Sequence, residues 1–83
     1  PQEANGSYDY GLFFMEEEDY EQAAHFMGIA TQYDPTFGDA YYYKGLALEK
    51  LGQMEAAGTA YNNAVSNNNR FERGEEALKS LGK

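Results

Sequence analysis

Four consecutive carboxylates, Glu16 to Asp19, form the densest group of ionisable side chains in the sequence. Calcium prefers oxygen ligands, but a calcium-binding loop alternates its ligands, turns at a glycine and ends on a distal glutamate. The residues that follow this run do not have these features. We therefore interpret the run as a helix start, in which Asp19 caps the helix and Gln22 completes a capping box. Acidic side chains at that end also complement the helix dipole, and no metal site is predicted.

His25 is the only histidine, and it is the next candidate for chemistry as a general base or a metal ligand. It lacks a cysteine, a second histidine or a nucleophile at helical spacing, so a surface or partly packed position is favoured. The absence of cysteine excludes disulfides, thiolate zinc sites and a cysteine nucleophile. The sequence also lacks a glycine-rich phosphate loop. We therefore predict no catalytic residue, no cofactor and no enzymatic activity.

The charge balance restricts the class of partner. Acidic residues number 14 against six basic ones, which gives a net charge of -8 that repels phosphate and argues against nucleic-acid binding. No apolar run reaches the roughly 18 residues of a membrane span, and no segment resembles a signal peptide. The sequence leaves the compartment unknown, and a cytoplasmic location is favoured. The first residue is Pro1 rather than Met, so we expect a processed or excised piece of a longer protein.

Two helices joined by a tight turn are predicted between Gly38 and Asn69. Apolar and small residues recur at the spacing of one buried helical face on both sides of a break at Gly52-Gln53. The inward residues are Tyr41, Gly45, Leu48 and Leu51, then Met54, Ala57, Tyr61, Ala64 and Val65. A connection this short implies an antiparallel hairpin, and we expect Gly45 to lie against Ala57 where the two helices approach closely.

The same pattern occurs 34 residues earlier, with Gly11, Ala23 and Ala30 in the places of Gly45, Ala57 and Ala64. The inward residues of this first hairpin are Tyr10, Gly11 and Phe14, then Tyr20, Ala23, Ala24, Met27 and Ala30. Asp34-Pro35 ends the hairpin because proline cannot continue a helix. We expect Phe37 to fill the junction between the hairpins, Thr36 or Asp39 to cap the third helix, and residues 1 to 5 to fray.

The repeated pattern resembles the tetratricopeptide repeat family, whose signature runs from an aromatic residue through Leu-Gly and Tyr to Ala, Phe and Pro. The second repeat matches it with Tyr41, Lys44-Gly45, Leu48, Ala57 and Tyr61, and the first with Ser7, Tyr10-Gly11, Phe14, Ala23, Met27 and Pro35. Ser7, Lys44 and Asn69 depart from the signature without disturbing its register. The resemblance covers roughly residues 4 to 69.

The resemblance implies one all-α domain over residues 1 to 83, a right-handed α-solenoid of antiparallel helix hairpins. Repeat 1 covers about 4–37, repeat 2 about 38–69, and a capping helix about 70–81 covers the open side of the fourth helix. We predict five helices in all, at about 6–17, 20–33, 39–51, 54–67 and 70–81.

In function, the resemblance implies a protein-binding module whose first helices line a concave groove. The predicted partner-binding residues are Tyr8, Asp9, Leu12, Asp39, Tyr42, Tyr43, Leu46 and Glu49. An alternative for Tyr8 and Tyr42 is that they only pack along the helices. The expected partner is a protein or peptide with apolar anchors and basic residues, because acidic side chains, including Glu16, surround the groove. The alternative function is a structural or self-association element of a larger multi-repeat protein, forming a weak homo-oligomer.

Overall fold

The computed structural model describes residues 2–67, which form four α-helices and no strands. The helices are α1 (Gln2–Glu16), α2 (Tyr20–Tyr33), α3 (Gly38–Lys50) and α4 (Met54–Ser66). Each helix packs against the next along the chain, and α1 also touches α3. The all-α class and the first four predicted helices are thereby confirmed for these residues. The predicted helix 70–81, and with it the predicted cap, lies outside the described residues.

The turns inside the two hairpins are equivalent, because Glu18 and Gly52 occupy corresponding positions and both have a left-handed backbone, with φ of 60° and 82°. In each turn, a backbone N–H donates back to the last turn of the preceding helix: Asp19 N to Phe14 O at 2.9 Å, and Gln53 N to Leu48 O at 2.9 Å. Such bonds satisfy carbonyl groups at a helix end. A carboxylate oxygen of Asp19 then accepts from Gln22 N at 3.4 Å, which confirms Asp19 as the cap of α2. The Asp19 N–H donates to Phe14 O rather than to the Gln22 side chain, so the second bond of the predicted capping box is not made.

The junction between the hairpins is built around Asp34 and Phe37. Asp34 Oδ1 accepts from the Thr36 backbone N–H at 3.1 Å and from the Thr36 hydroxyl at 2.7 Å. Phe37 is buried, as predicted for a residue that fills this junction. The predicted caps of α3 were wrong: Phe37 is the N-cap residue and makes no side-chain capping bond. Thr36 is engaged with Asp34 instead, and Asp39 lies inside the first turn of the helix.

The N-terminal segment corrects a second expectation, since residues 1 to 5 were predicted to fray. Helix α1 begins at Gln2, and Ala4 is fully buried. Ala4 belongs to a core cluster with Tyr8, Met27, Ala30, Phe37 and Ala40. A single small residue gives no visible periodicity in the sequence, so its burial depends on the neighbouring helices and loop.

Three predicted inward residues lie outside the core: Tyr10 is 62% exposed, Met54 62% and Val65 63%. All three belong to α1 or α4, the first and last helices of the described stack. Helix α3 shows the opposite behaviour, because α2 and α4 both pack against it and its buried arc extends to Tyr42 and Ala47. Within residues 2–67, no helix has the length and apolarity needed to cross a membrane.

Candidate partner-binding face

Close contact between paired helices is made at the same place in both hairpins. A Cβ placed on Gly11 would lie 2.7 Å from Met27 Cε, and one placed on Gly45 would lie 2.6 Å from Tyr61 Cε1. Both distances are too short for real carbon atoms, so each glycine makes room for one large side chain of the partner helix. The three atoms nearest to the Gly45 Cβ all belong to the Tyr61 ring, so the tightest contact of Gly45 is with Tyr61 rather than with the expected Ala57.

The predicted binding residues on α1 and α3 divide by accessibility. Tyr8, Tyr42 and Asp39 are buried. Three others, Leu12, Tyr43 and Leu46, are half-buried at the edge of the core clusters, and Asp9 and Glu49 are exposed. The accessible part of the predicted face is therefore a half-buried apolar centre flanked by exposed carboxylates.

Tyr43 is held by aromatic neighbours on both sides. Its ring centroid lies 6.1 Å from that of Tyr8 and 5.3 Å from that of Tyr42, both in edge-on arrangements. Tyr8 in turn packs on Phe37 at 4.7 Å, and Tyr42 packs on Tyr61 at 5.6 Å. This packing matches the alternative that Tyr8 and Tyr42 pack along the helices, and it positions Tyr43 at the accessible edge.

Glu49 accepts a hydrogen bond from the Tyr61 hydroxyl at 2.7 Å, joining the exposed edge of α3 to α4. Burial and this bond to Glu49 raise the pKa of Tyr61 well above its usual range. Burial also raises the pKa of Tyr42, with smaller contributions from Tyr43 and Glu49. The sequence identified Tyr61 only as a core residue, since its bond to Glu49 depends on how the two helices are paired.

We expect the folded state to lose stability as the pH rises above 10, because the unfolded Tyr61 then ionises while the folded Tyr61 keeps its proton. The raised folded pKa means that this contribution is complete below pH 10 and is lost as the pH approaches the folded value. Urea unfolding at a series of alkaline pH values would measure it. Tyr61→Phe removes the titrating group, and its stability should fall less steeply over the same pH range. Identical slopes for the two proteins would contradict the assignment.

His25 is exposed on α2, as predicted, and its ring lies edge-on to Phe26 with centroids 5.2 Å apart. Among residues 2–67, no group of three or more histidine, cysteine, aspartate or glutamate side chains is placed to hold a metal ion.

A second surface was missed by the sequence reasoning. An open depression of about 540 Å³ is lined, among residues 2–67, by Gly6, Asp9, Tyr10, Phe13 and Phe14 on α1. Phe13 is 52% exposed, and the Phe14 ring stacks on Phe26 of α2 with centroids 5.6 Å apart. The signal in the sequence was available, because bulky aromatics on α1 stand at the repeat positions that Lys44, Ala47 and Leu48 occupy on α3.

Comparison with known proteins gives one informative similarity. The chain is 34% identical over 58 residues to "BBSome complex member BBS4" of Bos taurus. The match covers 70% of this chain and spans only about 11% of the length of that relative. The chain matches no protein-family model, and no solved structure matches it significantly.

Proposed function

We propose that this chain is a protein–protein interaction module of the tetratricopeptide repeat type, with two repeats, that binds a peptide or protein segment along α1 and α3. The observation that carries the proposal is the recurrence of one hairpin design, seen in the equivalent Gly11–Met27 and Gly45–Tyr61 contacts. The similarity to a named member of a protein complex supports the same class of function. A binding module accounts for these features without any catalytic chemistry.

Three half-buried apolar residues, Leu12, Tyr43 and Leu46, supply the proposed contact area. Tyr43 suits a recognition surface because it offers a large rigid area and a hydroxyl group for little loss of conformational entropy. Its neighbours Tyr8 and Tyr42 are buried, so their proposed role is to hold Tyr43 and the backbone of both helices in position. The buried Asp39 belongs with this supporting set.

The proposed partner carries basic residues as well as apolar anchors. Asp9, Glu16 and Glu49 are exposed along the same two helices, and the whole chain carries a net charge of -8. Complementary charge speeds encounter and sets the orientation of a bound segment. Because these carboxylates act through solvent, binding is expected to weaken as salt concentration rises.

Tyr43→Ala is expected to weaken binding of a basic peptide with apolar anchors by about 1 to 2 kcal/mol, or about 5- to 30-fold in Kd. The probes are an array of lysine-rich peptides bearing leucine or phenylalanine anchors and a matched array with glutamate in place of lysine. Fluorescence titration of the best basic peptide measures the loss. Gln32→Ala, an exposed change on α2, is the control and should bind like the parent.

Two results would contradict the groove proposal. One is equal binding by the Tyr43→Ala variant and the parent protein, and the other is a preference for the glutamate-containing peptides. An affinity that rises with salt would likewise argue against charge complementarity as the basis of recognition.

The second candidate function is self-association, or a structural role in a larger multi-repeat protein. It is favoured by the exposed apolar side chains at the two ends of the helix stack, Tyr10 and Phe13 on α1 and Met54 and Val65 on α4.

A further inference from the structure

The internal repeat relates the exposed face of α1 to a buried face of α3. The residues of α1 that line the depression are Gly6, Asp9, Tyr10, Phe13 and Phe14, and their counterparts 34 residues later are Ala40, Tyr43, Lys44, Ala47 and Leu48. Ala40, Ala47 and Leu48 are buried, and Tyr43 and Lys44 are half-buried. Repeat 1 therefore exposes, with larger aromatic side chains, a surface that repeat 2 buries.

Helix α2 covers that face of α3 through small residues. A Cβ placed on Gly28 would lie 3.7 Å from Lys44 Nζ, and Ala24 packs against the core cluster that contains Leu48. Thr31, farther along the same helical stripe, is buried as well. The stripe of α2 beside α3 therefore includes Ala24 and Gly28, and helical spacing extends the same stripe to Tyr20 and Thr31.

The counterpart of this stripe on α4 is Met54, Gly58, Asn62 and Val65, and all four residues are exposed. A Cβ placed on Gly58 would meet no atom within 4 Å. The two ends of the described stack thus present the two halves of one contact that is already made inside the chain between α2 and α3.

We propose that a second copy of this chain occupies the α1 face, with its α4 lying across Tyr10 and Phe13 as α2 lies across α3. This inference develops the second candidate function and is independent of peptide binding in the groove. At one pair of positions the side-chain volumes compensate, because Phe14 stands where α3 has Leu48 and Gly58 stands where α2 has Ala24. At the neighbouring pair, Tyr10 stands where α3 has Lys44 and the larger Asn62 stands where α2 has Gly28.

The contact is head-to-tail, so a pair of copies keeps one free α1 face and one free α4 face. Such heterologous contacts extend into chains of copies unless the rotation closes a ring. Copies that each carry a net charge of -8 repel one another, so the association should strengthen as salt is added. The sign of the salt effect is opposite to that expected for a basic peptide in the groove.

The predicted helix 70–81 is the rival occupant, because the sequence places it over the open side of α4 in the same copy. A capped α4 would leave no surface for a second copy, and the chain would stay monomeric at all concentrations. The oligomeric state of the full chain therefore separates the two arrangements.

The test uses sedimentation velocity of the full chain from micromolar to millimolar concentration. Phe13→Glu blocks the α1 face and Val65→Glu blocks the α4 face, and both residues are more than half exposed, so the fold should persist. Gln32→Glu makes the same charge change at an exposed position outside both stripes. Circular dichroism melts check that each variant is folded.

The mass of the parent protein should rise with concentration, and that of Gln32→Glu should follow it. Phe13→Glu and Val65→Glu should each lose association by at least about tenfold. An equal mixture of these two variants should pair through the two unblocked faces, and its mass should stop rising at two copies. Both variants should still bind the basic peptide.

Three results would overturn the inference. A parent protein that stays monomeric at millimolar concentration would remove the inference together with self-association as a candidate function. If the parent associates and either blocked variant associates equally well, self-association is real but uses a surface other than the proposed pair of faces. A mixture of blocked variants that does not pair would show that the α1 and α4 faces do not bind each other.

Discussion

Tyr42→Ala is expected to lower the free energy of unfolding by about 3 to 5 kcal/mol, the range for removing a large aromatic side chain from a core. Tyr42 is only 1% exposed and forms a core cluster with Ala64, against which Tyr41, Leu46 and Tyr61 also pack. A chain this short has a marginal core, so this loss would be a large fraction of its total free energy of unfolding. Urea denaturation followed by circular dichroism would measure it.

Tyr43→Ala is the matched control for this prediction. The two tyrosines are adjacent in α3, but Tyr43 is half-buried, so its truncation should cost clearly less stability. Equal losses for the two variants would contradict the different positions that the structure assigns to them. The comparison also decides how binding data are interpreted, because weaker binding by Tyr42→Ala would reflect partial unfolding as well as lost contact.

Gly45→Leu is expected to destabilise the fold by about 1 to 3 kcal/mol, the usual cost of forcing a large side chain into a packed core. A Cβ alone would already lie 2.6 Å from the Tyr61 ring, so either the ring or the whole of α4 must move. Moving the ring also stretches the bond between its hydroxyl and Glu49. Thermal unfolding of the variant beside the parent would measure the change.

Gly58→Leu is the matched control, since it makes the same change on a helix where a Cβ would meet no atom within 4 Å. Glycine is about 0.8 to 1 kcal/mol less favourable than alanine in a helix interior and leucine ranks just below alanine, so this variant should be more stable than the parent. Measured at dilute protein concentration, the two leucine variants should shift the melting temperature in opposite directions. A melting temperature of Gly45→Leu equal to that of the parent would show that the close contact with Tyr61 is not required.

The sequence contains the aromatic residues of the exposed α1 face, but the tertiary structure was needed to recognise that this face is exposed. A position-by-position comparison of the two repeats shows that the aromatic residues Tyr10 and Phe13 of α1 correspond to Lys44 and Ala47 of α3. The difference indicates an exposed face on α1 only once the structure shows that α2 covers the corresponding residues of α3. Helical periodicity describes each helix separately and does not show which neighbour covers it. The expectation that Tyr10 points inward failed for the same reason.

The sequence by itself determined the local structure of this protein. Periodic apolar residues, the Asp19 cap and Pro35 placed the four described helices within a few residues of their observed ends, the largest error being the start of α1. The left-handed turn residues Glu18 and Gly52 lie 34 residues apart, in the register of the internal repeat. These features depend on interactions between residues a few positions apart, so a single chain segment contains the information for them.

Only the tertiary structure decided which face of each helix is buried and how wide the buried arc is. Neighbouring residues on a helix differ in direction by about 100°, so a buried arc that widens under two neighbouring helices includes Tyr42 as well as Gly45 and Leu48. The arc narrows on α1 and α4, where one side has no helix of the described residues against it, and Tyr10, Met54 and Val65 are exposed. Burial depends on how many elements surround a helix, and that number is a property of the assembled stack rather than of any one segment.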